Sequence, residues 1–162
     1  MAVQHLSGEE LAERVGAAVP DSVVPDPVIL NPVILGPVGA PSGNALWVKA
    51  PRMAEVAGFL KSDEALDFNF LNSISAVDYI DHFQIVYHLT SLNKQHTAIV
   101  KTRLNGRDDL SLPSVYHLWR GADFQEREIW DLMGISFDGH PNMKRIMLWE
   151  GFEGHPLRKD YL

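Results

Sequence analysis

The middle of the chain has the most regular alternation of apolar and polar residues. Residues 83–89 alternate with a period of two, which is typical of a half-buried strand. The apolar positions of this strand are Phe83, Ile85, Tyr87 and Leu89. Residues 97–104 have a strand-like composition and end at Asn105-Gly106, a pair that favours a turn. With a further strand over 73–79, the pattern predicts an antiparallel meander.

Helical spacing precedes this meander. Ser7 is followed three residues later by a glutamate, the spacing of a capping box, which predicts a first helix that ends before Pro20. A short strand is predicted over 45–50. Pro51 suits the first turn of a second helix that continues to about residue 62. Helices followed by consecutive strands predict an α+β fold.

A third helix is predicted with Asp123 as its N-cap and Gly134 as its C-cap. At about 100° per residue, Glu126 falls in the middle of an apolar stripe. The stripe consists of Ala122, Ile129, Trp130 and Met133. A different side of the helix, well away from Glu126, carries Phe124 and the charged residues Arg127, Glu128 and Asp131. A short helix starting at Ser111 or Pro113 is predicted to lead into this one.

The position of Glu126 creates an energetic requirement. A carboxylate buried without a partner costs several kcal/mol, so Glu126 needs a cation or several hydrogen-bond donors. The basic residues that follow are the expected source: Lys144, Arg145 and Arg158. In the alternative, Glu126 reaches solvent from the edge of the stripe.

Two segments have the composition of irregular structure. Residues 20–43 form a Pro-rich loop in which a five-residue echo runs over 26–38; recurrent proline excludes a central strand, and we place no site there. Residues 137–161 are rich in turns and basic residues but also contain apolar patches, so this segment is expected to lie against another surface. The predicted division is an α+β domain over 1–119, and a helix with an extended docking segment over 120–162.

Charge and composition exclude several classes of function. A formal net charge of −7 argues against nucleic acid and anionic lipid as partners. The 162 residues include no cysteine, which excludes disulfides and thiolate-bound iron–sulfur clusters or zinc in this chain. No stretch approaches about 20 apolar residues, and no signal peptide is apparent at the N-terminus.

Histidines and carboxylates offer two chemical hypotheses. His88 and His96 could approach across a hairpin, but two histidines without a third ligand make a poor zinc site. The other hypothesis is an acid–base cluster of Glu126, Glu128 and Asp131 with His140. Neither a nucleophile nor a G-x-G-x-x-G or phosphate-binding loop accompanies it. We interpret His140 and His155 as hydrogen-bonding anchors.

The residues around the third helix resemble a known family signature. Its fixed positions are Glu126, Arg127, Glu128, Asp131, Leu132, Met133, His140, Lys144, Ile146 and Met147. The run from Gly154 to Tyr161 matches a second motif in the expected place. This order resembles the 30 kDa subunit, also called the C subunit, of respiratory complex I. The resemblance is sharp over about residues 111–161.

The resemblance implies a hydrophilic, non-catalytic subunit in the peripheral arm of a proton-translocating NADH:quinone oxidoreductase. It implies a peripheral location on the cytoplasmic side of the cell membrane, held there by partner subunits. The main partner would be the large quinone-site subunit, also called the D subunit. FMN, iron–sulfur clusters and quinone would lie in partner subunits, with no cofactor in this chain. The expected interface and structural residues are Phe124, Glu126, Arg127, Glu128, Trp130, Asp131, His140, Lys144, Arg145, His155, Arg158 and Lys159.

Two alternatives remain at this point. The same subunit could serve a hydrogenase-linked or ferredoxin-accepting relative of complex I, which neighbouring genes would discriminate. In a different class, the chain would be a stand-alone acid–base enzyme that uses the carboxylate cluster.

Overall fold

A computed structural model describes residues 2–25 and 44–162 of the chain. The proline echo at 26–38 lies outside the described residues. In chain order the strands are β1 Gln4–His5, β2 Ala45–Val48, β3 Phe70–Asp78, β4 His82–Ser91, β5 His96–Asn105, β6 Ser111–Pro113 and β7 Ser136–Asp138. The helices are α1 Gly8–Ala18, α2 Met53–Ser62, preceded by a 3-10 turn at Ala50–Arg52, and α3 Ala122–Met133.

The main sheet is built on the predicted meander. Strands β3, β4 and β5 pair antiparallel, with Ile85 opposite Thr102 on β5 and opposite Ala76 on β3. The edge of β5 that faces away from β4 pairs in parallel with two short strands. Strand β1 pairs with the start of β5, and β2 pairs with the stretch that follows. This order leaves β3 at one end of the sheet.

The core lies between one face of this sheet and the helices. The four alternating apolar residues of β4 are at most 1% exposed, which confirms the period-of-two prediction: Phe83, Ile85, Tyr87 and Leu89. Leu11 of α1, Leu60 of α2 and Ile129 of α3 belong to the same hydrophobic cluster. Full burial of one such side chain contributes about 1.5–3 kcal/mol, so the cluster is the main stabilising feature of the fold.

The predicted α+β architecture is confirmed, with local corrections at the helix ends. Ser7 caps α1, accepting a hydrogen bond from the Glu10 amide, as the capping box predicts. The N-cap of α3 is Gly121, so the prediction of Asp123 was wrong, since Asp123 already lies in the first helical turn. The C-cap at Gly134 is confirmed by its left-handed φ of 74°.

The short helix predicted from Ser111 or Pro113 is also wrong. The first three residues of this segment form β6, which precedes α3 in the chain. It pairs in parallel with β7, which follows α3, and Leu112 lies opposite Phe137. Both side chains are buried in the core. The long-range pairing and the burial outweigh the local helical tendency of the segment.

Candidate functional site

Helix α3 is the element around which the candidate site is built. Ala122 and Ile129 fix it to the core, and Gly134 ends it in a left-handed conformation. A Cβ atom on Gly134 would lie 2.7 Å from the His155 ring, so the position requires glycine for both its φ angle and its lack of a side chain. The chain then returns over the helix as residues 139–162, which we call the tail.

Glu126 is fully buried, as its place in the apolar stripe predicts, but its partners differ from those expected. Ser114 Oγ donates to Oε2 at 2.6 Å, and the Val115 amide donates to Oε1 at 2.8 Å. The expectation that Lys144, Arg145 or Arg158 supplies a cation to Glu126 was therefore wrong. Burial raises the pKa of Glu126, and its two hydrogen bonds partly offset that effect.

Asp131 is the carboxylate to which the tail binds. Its Oδ2 atom accepts hydrogen bonds from the amides of Ile146, Met147 and Leu148, at 2.8–3.0 Å. Its Oδ1 atom accepts a hydrogen bond from Arg145 Nη1 at 2.6 Å. Asp131 is 0% exposed because the tail covers a side of the helix that points away from the core. We call Asp131, Arg145 and these three amides the Asp131 network.

Arg145 extends this network across the tail. Its guanidinium also donates to the carbonyl oxygens of Asp131, Phe152 and Gly154, at 3.2, 2.7 and 3.1 Å. It lies 5.7 Å from the centre of the Trp130 ring, which is half-buried. A single cation thus joins α3 to two separate turns of the tail.

Other predicted site residues support the same attachment. Arg127 donates to the carbonyl oxygens of Lys144 and Arg145, at 3.0 and 3.1 Å. Nδ1 of His155 lies 2.9 Å from the carbonyl oxygen of Asp131. His140, the other histidine interpreted as an anchor, also forms hydrogen bonds. Its Nδ1 atom accepts one from the Asn142 amide at 3.0 Å. Its Nε2 lies 3.2 Å from the carbonyl oxygen of Asp123.

The end of the tail is attached to the sheet by a second ionic group. Arg107 forms two hydrogen bonds with the buried carboxylate of Asp78, at 2.5 and 2.9 Å. The Lys159 amide donates to Asp78 Oδ2 at 2.9 Å. Asp160 pairs with both Arg107 and Arg158. Arg107 beside Asp78 holds the pKa of that carboxyl well below its usual range.

Sequence reasoning missed Asp78 and Arg107 altogether. Asp78 lies near the end of a predicted strand and Arg107 follows a predicted turn, so each looks like an ordinary surface charge. They meet only because the β3–β4 and β4–β5 connections bring the ends of β3 and β5 together.

The outer side of α3 and of the tail exposes large apolar residues. Trp149 is 69% exposed, Phe124 63% and Met147 62%. The predicted site residues Glu128, Lys144 and Lys159 are also exposed. Isolated exposed apolar residues are ordinary, but several on one ordered segment are typical of an interaction surface.

The acid–base cluster of the alternative hypothesis does not form. Glu126 and Asp131 are five positions apart on α3, about 140° round the helix, and bind separate sets of donors. His140 contacts Asp123. In the described parts of the chain, no group of three or more histidine or carboxylate side chains is arranged to hold a metal ion. The helices found there are also too short or too polar to cross a membrane.

The Asp131 network gives a measurable pH dependence. Burial opposes ionisation of Asp131, but the Leu148 amide, Arg145 and the other two amides outweigh it and lower the pKa to about 2. Ionised Asp131 thus stabilises the fold fully above its ordinary pKa of 3.8, by about 2 kcal/mol at 1.36 kcal/mol per pH unit. That stabilisation is lost as the pH falls from about 3.8 to 2.

We expect the NMR signals of the amides of residues 146–148 to titrate with a common midpoint near pH 2 in the folded chain. The same three amides in the unfolded chain, where Asp131 has its ordinary pKa, serve as the reference. A midpoint near pH 4 for the three tail amides would contradict the network.

Comparison with known proteins identifies the class to which this arrangement belongs. The family model described as "Respiratory-chain NADH dehydrogenase, 30 Kd subunit" matches residues 46–162. The chain is 38% identical over 158 residues to the C subunit of NADH-quinone oxidoreductase from Roseiflexus sp. (strain RS-1), covering 96% of this chain and 84% of that protein. It is 46% identical over 117 residues to the C 2 subunit of the same enzyme from Rhizobium etli (strain CIAT 652), covering 70% of this chain and 62% of that protein.

Two further matches extend this result. The C/D subunit of NADH-quinone oxidoreductase from Phocaeicola vulgatus is 42% identical over 103 residues, which is 63% of this chain and 20% of that protein. The fold resembles a chain in the structure of membrane-bound sulfane sulfur reductase, an archaeal respiratory membrane complex, with a TM-score of 0.68 and 23% identity. That likeness covers 95% of this chain and 85% of the other. The chain belongs to the 30 kDa subunit family of respiratory-chain NADH dehydrogenase, the complex I family.

Proposed function

We propose that the chain is the C subunit of a proton-translocating NADH:quinone oxidoreductase and braces its large quinone-site subunit, the D subunit. The names of the Roseiflexus and Rhizobium relatives support the complex, and the Phocaeicola protein, named as a C/D subunit, supports the partner. In this proposal electrons pass from NADH to quinone through FMN and iron–sulfur clusters in other subunits. The chain itself holds no cofactor, has no catalytic residue, and reaches the cytoplasmic side of the membrane through its partners.

The observation that carries the proposal is an apolar surface held on a fixed tail. The Asp131 network fixes residues 145–148 to α3, and Asp78 fixes the far end of the tail to the sheet. Met147 and Trp149 nevertheless point outward and are more than 60% exposed. Backbone groups anchored by buried charges, with apolar side chains left facing solvent, are suited to forming the apolar centre of a protein–protein interface.

The test compares two substitutions at equally exposed apolar residues. Met147→Lys places a charge in the proposed interface, and Leu92→Lys places one at the β4–β5 turn, far from the tail; the two residues are 62% and 61% exposed. Burying an unpaired charge costs several kcal/mol, so Met147→Lys should reduce the assembled complex at least about tenfold. Leu92→Lys should leave assembly unchanged.

Two measurements are needed: the fraction of the chain that migrates with the membrane complex in native gels, and NADH:quinone turnover per assembled complex. We expect Met147→Lys to lower the first far more than the second. Full assembly of the Met147→Lys chain, or assembly equally reduced by Leu92→Lys, would contradict the bracing role of the tail surface.

A further inference from the structure

The outer edge of β3 has backbone groups free to bind another strand. The Tyr79 amide donates to the His82 carbonyl oxygen, on the side facing β4. The Ile74 amide points the other way and donates to Gln125 Oε1 at 2.5 Å. Because successive residues of a strand direct their peptide groups to opposite edges, the N–H and C=O of Ala76 also point away from β4. No other part of the described chain hydrogen bonds to the Ala76 amide.

A groove runs beside this edge, between β3 and α3. It has a volume of about 230 Å³. Its apolar lining includes Ile74, Ala76, Ile129, Leu132, Met133 and Leu157. Glu128 lies on its rim, is exposed, and forms no ion pair with the residues that the structure describes.

We propose that an extended segment of a neighbouring protein in the complex adds to the edge of β3 at Ala76, between the occupied groups of Ile74 and Asp78. This inference rests on the proposed function, because it requires such a neighbour. The open peptide groups at Ala76 select an extended backbone, since only a strand offers donors and acceptors at the matching spacing. The apolar lining selects an apolar side chain on that segment, and Glu128 selects a lysine or arginine beside it.

The geometry separates this surface from the tail interface of the proposed function. The tail surface is centred on the apolar side chains of Met147 and Trp149. The β3 edge combines backbone hydrogen bonding with a single carboxylate. Leu157 belongs to the tail and also lines the groove, so the tail forms part of the groove wall.

The test is hydrogen–deuterium exchange at single-residue resolution, on the purified complex and on the full chain alone. The amides of Ser75 and Val77 point towards β4 and serve as internal controls. In the complex, we expect exchange at Ala76 to slow by roughly 100-fold or more relative to the isolated chain, because strand pairing protects the amide against all but larger opening events. Slowing at the two control amides should be much smaller. Equal exchange at Ala76 in the two samples would overturn the inference.

A charge variant tests the predicted chemistry of the segment. Glu128→Lys should remove most of the protection at Ala76 in the complex, whereas Glu64→Lys, at an exposed turn after α2, should not. Protection retained in the Glu128→Lys complex would refute a cationic segment. If the wild-type chain does not purify with the complex, the proposed function itself fails; if it does but Ala76 is unprotected, only this inference fails.

Discussion

Replacement of Asp131 by alanine is expected to destabilise the folded chain by about 3–5 kcal/mol, the usual cost of removing one partner of a buried ion pair. The substitution leaves Arg145, whose side chain is 13% exposed, without its carboxylate. It also removes the acceptor of three consecutive tail amides. The free energy of unfolding should be measured in urea, and release of the tail by limited proteolysis.

Asp138→Ala is the matched control for this experiment. Asp138 is an exposed aspartate five residues after the end of α3, and its substitution should change the free energy of unfolding by less than about 0.5 kcal/mol. The loss of stability in Asp131→Asn should lie between those of Asp131→Ala and Asp138→Ala. The Oδ1 atom of the asparagine can still accept a hydrogen bond, but its amide nitrogen cannot accept from the tail amides. A loss below about 1 kcal/mol for Asp131→Ala would show that the tail is held by other contacts.

Arg107→Ala is expected to have a similarly large effect, about 3–5 kcal/mol, because it leaves a buried carboxylate without its cation. The Asp78 side chain is 2% exposed and depends on two hydrogen bonds from Arg107. The guanidinium also packs 4.6 Å from the centre of the Phe83 ring. Arg103→Ala is the control: its pair with Asp81 is 3.5 Å long and exposed, and should contribute less than about 1 kcal/mol.

The pH dependence distinguishes loss of the ion pair from simple loss of packing. In the wild-type chain the lowered pKa of Asp78 stabilises the fold above the ordinary value of 3.8, and this contribution is lost as the pH falls below it. In Arg107→Ala the pKa of Asp78 rises, so the difference in stability between the two chains should be largest near pH 7 and smaller below about pH 4. A difference independent of pH would indicate packing alone.

Local patterns were sufficient to predict most of the fold. The period of two in β4, the Ser7 cap and Gly134 depend on neighbours within a few residues, and each prediction was confirmed. The helical wheel also predicted burial of Glu126. Each of these properties is determined by the spacing of a few side chains along one element.

The partners of the buried charges could not be predicted in the same way. The donors to Glu126 lie 11 and 12 residues before it, in a segment around β6 that sequence patterns assigned to a helix. Asp131 lies outside the apolar stripe of α3, and only the returning tail buries it. The pair of Asp78 with Arg107 joins positions 29 residues apart. Such pairs depend on tertiary contacts, which no periodicity encodes.

Attachment of the tail at both Asp131 and Asp78 has a consequence for association. Fixing the backbone of one residue costs about 1–2 kcal/mol in conformational entropy, so ordering even ten tail residues during docking would cancel a nanomolar affinity of about 12 kcal/mol. Here that ordering is completed when the chain folds, because both attachments lie within the chain itself. A binding partner therefore contacts a surface that is already ordered. The free energy of these contacts is not offset by the entropy of ordering the tail, so the affinity is higher.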